Sequence, residues 1–300
     1  MVDIKEIKSL KLTPFTKMSA SIYGILGFIG AIVMLISLII VQATGLIPQL
    51  GQFNLVTGLG VPLIILLPIG AFFGTIVASF FSALLYNILV PRLGGVKLEL
   101  EGNEVQKIPV ISFSLILSAI GAIWAFIAGL VLAAVFSPLL SFIGAIATMP
   151  EAANITANIT SQMAATGSTM PTGAEMGAAG IILGLVLVIG LPIMAFVFGF
   201  IWNALFALFY NYIVTKVAKI NLEFSEISGT LHELKHIPVI PTALAVALVY
   251  TLLGIISGIM SGNYGEFISN FITYFIETAL IAILYNYLAP KIGSIKLNLE

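Results

Sequence analysis

His232-Glu-Leu-Lys-His236 is the stretch of this chain whose residue types and spacing come nearest to a catalytic pattern. Two histidines one helical turn apart can hold a zinc ion while the glutamate between them acts as general base. That chemistry needs a helix, yet Gly229 precedes the stretch and Pro238 follows it within two residues. His232 and His236 are also the only two histidines, so a third ligand would have to be a carboxylate. Aligning similar segments on their prolines puts Lys8 and Asn103 opposite His232, and Leu12 and Lys107 opposite His236, in segments that read as strands. The match is therefore read as coincidence, with no metal site. The absence of cysteine removes thiolate nucleophiles, thiolate metal sites and disulfides together. Paired carboxylates, nucleophile–base sets and phosphate-binding glycine loops are missing too. No catalytic residue and no cofactor is expected, and the chain reads as a non-enzyme.

The other chemistry-bearing groups lie in apolar surroundings. Glu277 is an ionisable group well inside an apolar run, and such residues generally face a bundle interior or a cavity. Its counterparts in the repeat described below are Ala78 and Trp202, so it is not part of the repeated pattern. Its neighbour Thr278 aligns with Ser79 and Asn203, and Asn87, Asn211 and Asn286 form a second polar triplet two turns further along. Positions eight apart sit about 80° from each other on a helix, so the two triplets are not one stripe. These groups can hydrogen-bond between helices, or they can line an axial path for an ion or small solute. Apolar positions outnumber polar ones throughout, and a wet pore would leave that surface unfavourably hydrated. The expected interior is closed, with Glu277 neutral or paired.

The elements that position these residues form a repeat. Leu85-Tyr86-Asn87, Phe209-Tyr210-Asn211 and Leu284-Tyr285-Asn286 are the same phrase, followed four residues on by Pro91-Arg92, Thr215-Lys216 and Pro290-Lys291. Alternating tails come next, from Gly95 to Leu100, Lys219 to Phe224 and Ser294 to Leu299. Self-similarity of this kind dictates architecture before any single residue does. The chain is 60 % hydrophobic and only 8 % charged, with a mean hydropathy of +1.15. Soluble domains carry about 25 % charged residues, so these values point to a bilayer. Six spans are expected near 18–41, 62–90, 109–136, 179–213, 238–260 and 267–289, each long enough to cross the hydrocarbon core. Pro68 and Pro192, in a second shared phrase, are expected to kink spans 2 and 4 or to begin their regular part. Glycine pairs at Gly24/Gly27/Gly30, Gly70/Gly74, Gly180/Gly184 and Gly254/Gly258 suit close helix approach.

All 12 basic residues lie at the two ends of the chain or in the segments after spans 2 and 4. The positive-inside rule then makes both termini cytoplasmic. The net charge of −1 gives no indication of nucleic-acid binding. The opposite face carries tandem glycosylation sequons at Asn154 and Asn158, within a long loop over 137–178. If used, they favour an archaeal surface or a eukaryotic lumen over most bacteria, and the expected location is a prokaryotic, archaeal cell membrane.

The alternating segments read as strands. Val96–Leu100 and Val105–Ile108 would form one hairpin across Gly102, and Ile220–Phe224 and Leu231–Ile237 another across Gly229. The third pair would join Ile4–Leu12 to Ile295–Leu299 and so close the chain into a ring. The fold class is an all-α integral membrane protein: six transmembrane helices in three two-helix repeats (1–100, 101–225, 226–300), pseudo-threefold, with small cytoplasmic β hairpins.

Pro14-Phe-Thr-Lys17, Tyr86-Asn87 and Gly94-Gly-Val-Lys-Leu98 together resemble uncharacterised two-span membrane proteins of actinobacteria, known only as a domain of unknown function. The chain looks like three fused copies, and the resemblance implies a fold without an activity. The signature of mitochondrial carriers is absent, because spans 1, 3 and 5 end near Gln42, Phe136 and Ser261 without charges. The expected function is a scaffold or accessory subunit that engages a cytoplasmic or membrane protein partner through its hairpins, with the lipid bilayer as its other contact. A channel or transporter along the axis is the alternative.

Overall fold

The computed structural model describes residues 3–45, 54, 56–147 and 173–300. Asn154 and Asn158 lie outside the described residues. Six of the helical runs are long and apolar enough to cross a membrane, the mark of a membrane protein. They are α1 (Leu12–Thr44), α2 (Val61–Leu93), α3 (Val110–Ala147), the run of α4 (Gly173–Leu185) and α5 (Leu191–Tyr212), α6 (Val239–Ser261) and α7 (Glu266–Ile292). Large apolar side chains such as Leu66, Phe73 and Phe142 are more than half exposed, which is costly in water and costs nothing against lipid tails.

Several helices outrun the expected spans. α1 starts at Leu12 because Pro14 falls in its first turn, where a missing N–H breaks no bond. α3 continues through Pro138 to Ala147, so the loop expected from 137 begins later. Leu139, Leu140, Phe142 and Ile143 keep that stretch apolar and helical. Pro192 comes directly after a wide π turn, Val186–Gly190, that separates α4 from α5. A proline there removes an N–H from the helical ladder, and a widened turn absorbs the loss. Pro68, by contrast, lies inside α2 with no break, and the comparable π turn, Val56–Gly60, precedes Pro62 instead.

The described chain forms two compact units, Met1–Ile116 with Ala204–Glu300, and Leu117–Asn203. In the second unit the π turn brings the Leu187 carbonyl against α3. A Cβ on Gly129 would sit 2.0 Å from that oxygen, so only glycine fits. A Cβ on Gly180 would sit 2.9 Å from the Ser137 carbonyl oxygen, and the Ser137 hydroxyl donates to the Gly180 carbonyl at 2.8 Å. In the first unit, Gly24, Gly27, Gly254 and Gly258 are likewise tight, whereas a Cβ on Gly30, Gly70 or Gly74 would meet nothing within 4 Å.

The first unit also holds one six-stranded antiparallel sheet, not separate hairpins. Its strands are β1 (Asp3–Leu10), β2 (Val96–Glu101), β3 (Glu104–Lys107), β4 (Glu223–Ser228), β5 (Leu231–His236) and β6 (Lys296–Leu299), in the order β3-β2-β1-β6-β5-β4. β2–β3 and β4–β5 are hairpins. The two ends of the chain pair as β1 and β6, with Leu10 opposite Leu297, and Glu6 and Glu300 exchange main-chain hydrogen bonds of 2.6 and 3.1 Å. The outer edges of the sheet also meet. Val105 N–H donates to the Ile220 carbonyl at 2.9 Å, and Leu222 N–H to the Asn103 carbonyl at 2.8 Å, around a bridge of Glu104 with Asn221.

Strand alternation sorts the side chains. Leu98, Leu100, Val105, Leu234, Leu297 and Leu299 are buried. The intervening residues make surface ion pairs, among them Lys107–Glu99 at 3.6 Å and Lys219–Glu104 at 2.9 Å. Leu98, Leu100 and Val105 merge with Tyr210, Val214 and Leu253 in one cluster, and Leu234 with Met18, Tyr285 and Leu288 in another. Helix ends and sheet therefore share their core.

Candidate functional site: tyrosine–asparagine joints and an intramembrane carboxylate

Each Tyr–Asn phrase ends a returning helix and fastens it to the sheet. Asn87 on α2 accepts from the Leu10 N–H and donates to the Leu10 carbonyl, both at 2.8 Å. Asn211 on α5 does the same to Ile108, again at 2.8 Å for both bonds. Asn286 on α7 does so to Ile237, at 2.9 and 2.8 Å. A side-chain amide carries a donor and an acceptor side by side, as a peptide does, so each Asn acts as a short extra strand against the residue two positions before a helix. Aspartate lacks the donor, and leucine lacks both groups.

The tyrosines bond to residues three positions earlier in the same segments. Tyr86 donates to the Ile7 carbonyl at 2.6 Å and accepts from the Val96 N–H at 3.0 Å. Tyr210 donates to the Val105 carbonyl at 2.5 Å and accepts from the Ile220 N–H at 3.0 Å. Tyr285 donates to the Leu234 carbonyl and accepts from the Ile295 N–H at 3.1 Å. Ile7 and Val96 are opposite each other in the β1–β2 register, so the Tyr86 hydroxyl is inserted between two strands as they part. Each phrase thus supplies four hydrogen bonds to main-chain groups that would otherwise be orphaned beneath the sheet.

These partners correct the proline alignment. Leu10, Ile108 and Ile237 are equivalent, which matches Pro14 to Ser112 and Pro241, and matches Pro109 and Pro238 to Lys11. His232 then corresponds to Lys5 and Asn103, and His236 to Ser9 and Lys107. Both histidines lie on β5. Residues four apart on a strand are separated by about 13 Å, too far for two imidazoles on one metal. His232 Nδ1 lies 2.9 Å from the Thr230 carbonyl, and His236 Nδ1 lies 3.5 Å from Glu223. Among the described residues no group of three or more His, Asp or Glu is arranged to hold a metal ion.

The remaining polar positions are scattered. Ser79 donates to the Thr75 carbonyl, and Asn203 to the Gly199 carbonyl at 2.8 Å, each within its own helix. Thr278 and Glu277 lie on α7, and Glu277 opens into a groove of about 550 Å³ lined by Tyr23, Gly27, Gly30, Ala71 and Thr273.

On the sheet, burial works to raise the Glu6 carboxyl, but the Gly95 N–H at 2.8 Å and the ammonium groups of Lys8 and Lys97 outweigh it and hold it below its ordinary value. Gly95 is bound to its place: a Cβ there would sit 2.3 Å from the Ile7 carbonyl oxygen.

The sequence marks Tyr86, Tyr210 and Tyr285 as parts of a repeat but discloses neither their hydrogen bonds nor their carbonyl partners. The invariant Tyr-Asn order was the available signal, since adjacent positions on a helix can reach two different strand residues. No protein-family model, curated protein or solved structure matches this chain.

Proposed function

We propose that this chain is a non-enzymatic integral membrane scaffold or accessory subunit. In this reading three fused two-helix units stand around a pseudo-threefold axis in a prokaryotic cell membrane, with both termini cytoplasmic. The sheet then forms a rigid cytoplasmic platform for a membrane or cytoplasmic protein partner. The observation that carries the reading is the fate of the repeated polar groups. In all three phrases the Tyr hydroxyl and the Asn amide are bonded to main-chain atoms. Groups so engaged are not free to coordinate a passing ion. The leucine-filled underside of the sheet favours a closed interior in the same way. The charged outer face, with Lys97, Lys107 and Glu99, is the surface offered to a partner.

The test reconstitutes the purified protein in liposomes and, in parallel, captures partners from native membranes. The scaffold reading expects no solute flux above empty vesicles, and a partner that is lost when Lys97 and Lys107 are both changed to Glu. Selective ion or solute flux through the wild-type protein would overturn it and promote the channel reading.

A further inference from the structure

A carboxylate in the middle of a membrane-spanning helix is explained by what lies opposite it. Glu277 stands about 16 Å of helix from Glu266 and about 22 Å from Ile292, so α7 carries it deep into a hydrocarbon layer about 30 Å thick. The chain supplies no countercharge at that depth. α1 has no Lys, Arg or His after Lys17, α2 has none before Arg92, α6 has none at all, and α7 has none before Lys291. The carboxylate is half-buried and faces the groove between α1, α2 and α7.

The shape and lining of this groove select among occupants. Its volume of about 550 Å³ falls within the range of small-molecule sites. Gly30 lines it, and a Cβ there would meet nothing within 4 Å, so the space beside it is open. The walls are Leu26, Ile29, Ile272 and Leu280, and the oxygen-bearing side chains are only Glu277, Tyr23 and Thr273. A hard metal cation takes six or more oxygens, and most of them would have to be waters carried in among these apolar walls, which disfavours it. An anion is repelled, and an uncharged apolar molecule has no use for the carboxylate. A cation with weak hydration and an apolar body satisfies every part of the groove, with the Tyr23 ring as an additional cation–π face.

We propose that the groove binds a lipophilic ammonium ion entering from the bilayer, its charged head against Glu277 and its apolar body between the α1 and α7 walls. The site is independent of the scaffold role, and neither requires the other.

The test titrates octyltrimethylammonium into the full chain in nanodiscs of zwitterionic lipid, followed by calorimetry, with octanol as the uncharged control. The expected result is saturable binding of the ammonium that weakens about tenfold or more in Glu277→Gln, the loss of one charged contact. Octanol should bind no better than to empty nanodiscs. Gly30→Leu keeps the carboxylate but fills the open space, and it should weaken binding as well. Equal affinity in wild type and Glu277→Gln, or octanol displacing the ammonium mole for mole, overturns the proposal. Should Glu277→Gln fail to fold, Gly30→Leu decides alone, and undiminished binding in that variant overturns it.

Discussion

Replacing Asn211 by Leu keeps the branched shape and heavy-atom count of the side chain while removing both polar atoms of one joint. The two bonds lost are each 2.8 Å long and both end on Ile108, which is only 5 % exposed. An orphaned main-chain donor or acceptor costs about 1–3 kcal/mol when water cannot replace its partner. Two orphans on one residue therefore cost about 2–6 kcal/mol, a large part of the 5–15 kcal/mol typical of whole domains. Asn211→Asp is the sharper variant. It retains an acceptor for the Ile108 N–H but sets its second oxygen against the Ile108 carbonyl, so it should be no more stable than the leucine. Amide hydrogen exchange across 104–112 in detergent micelles, together with denaturant unfolding, reads both effects. Exchange at Ile108 should accelerate and the midpoint should fall in both variants. The reasoning is refuted if Asn211→Leu unfolds and exchanges like wild type, because the amide would then be unnecessary to the joint.

Three further outcomes follow from the same geometry. Gly95→Ala places a Cβ 2.3 Å from the Ile7 carbonyl oxygen and should part β1 from β2, seen as faster exchange along β1, whereas Gly30→Ala should leave exchange unchanged. Glu6 has a folded-state pKa below its ordinary value of 4.5, so its stabilising contribution is complete above that value and is lost as pH falls through the folded pKa. Glu6→Gln should accordingly flatten the acid limb of an unfolding-versus-pH curve, and an unaltered limb would show that Lys8, Lys97 and Gly95 do not hold the carboxylate. Deleting Lys296–Glu300 strips β1 and β5 of a shared neighbour, and deleting Met1–Leu10 strips β2 and β6. The two truncations should lower the unfolding midpoint by similar amounts, and a harmless truncation at either end would count against sheet closure.

The parts of this fold that could be read in the sequence are those governed by period and composition. Apolar length located six spans, and strand alternation located the six strands, including the pair divided between the two ends of the chain. Extents were less legible. Ser141 is the one polar residue between Pro138 and Ala147, and it bonds back to the Ser137 carbonyl without breaking the helix, so that stretch of α3 has no compositional mark of an end; the π turn before Pro192 records how a helix accommodates proline, which period alone does not encode.

The joints show why a repeated motif can be found and still misread. Tyr86-Asn87 and its copies announce themselves by recurrence, but recurrence is neutral between a shared ligand and a shared architectural need. What separates the two is the partner, and the partners are main-chain atoms of Ile7, Leu10 and their equivalents, where side-chain identity leaves no trace. Aligning prolines failed for the same reason, since the hydrogen-bonded position carries Leu or Ile while the proline drifts from Pro14 to Pro109 around it. Glu277 is the converse case. It breaks the repeat, having Ala78 and Trp202 as counterparts, so architecture does not require it. In a chain whose repeated polar residues serve to fasten helices to a sheet, the unrepeated one is where a ligand has reason to be sought.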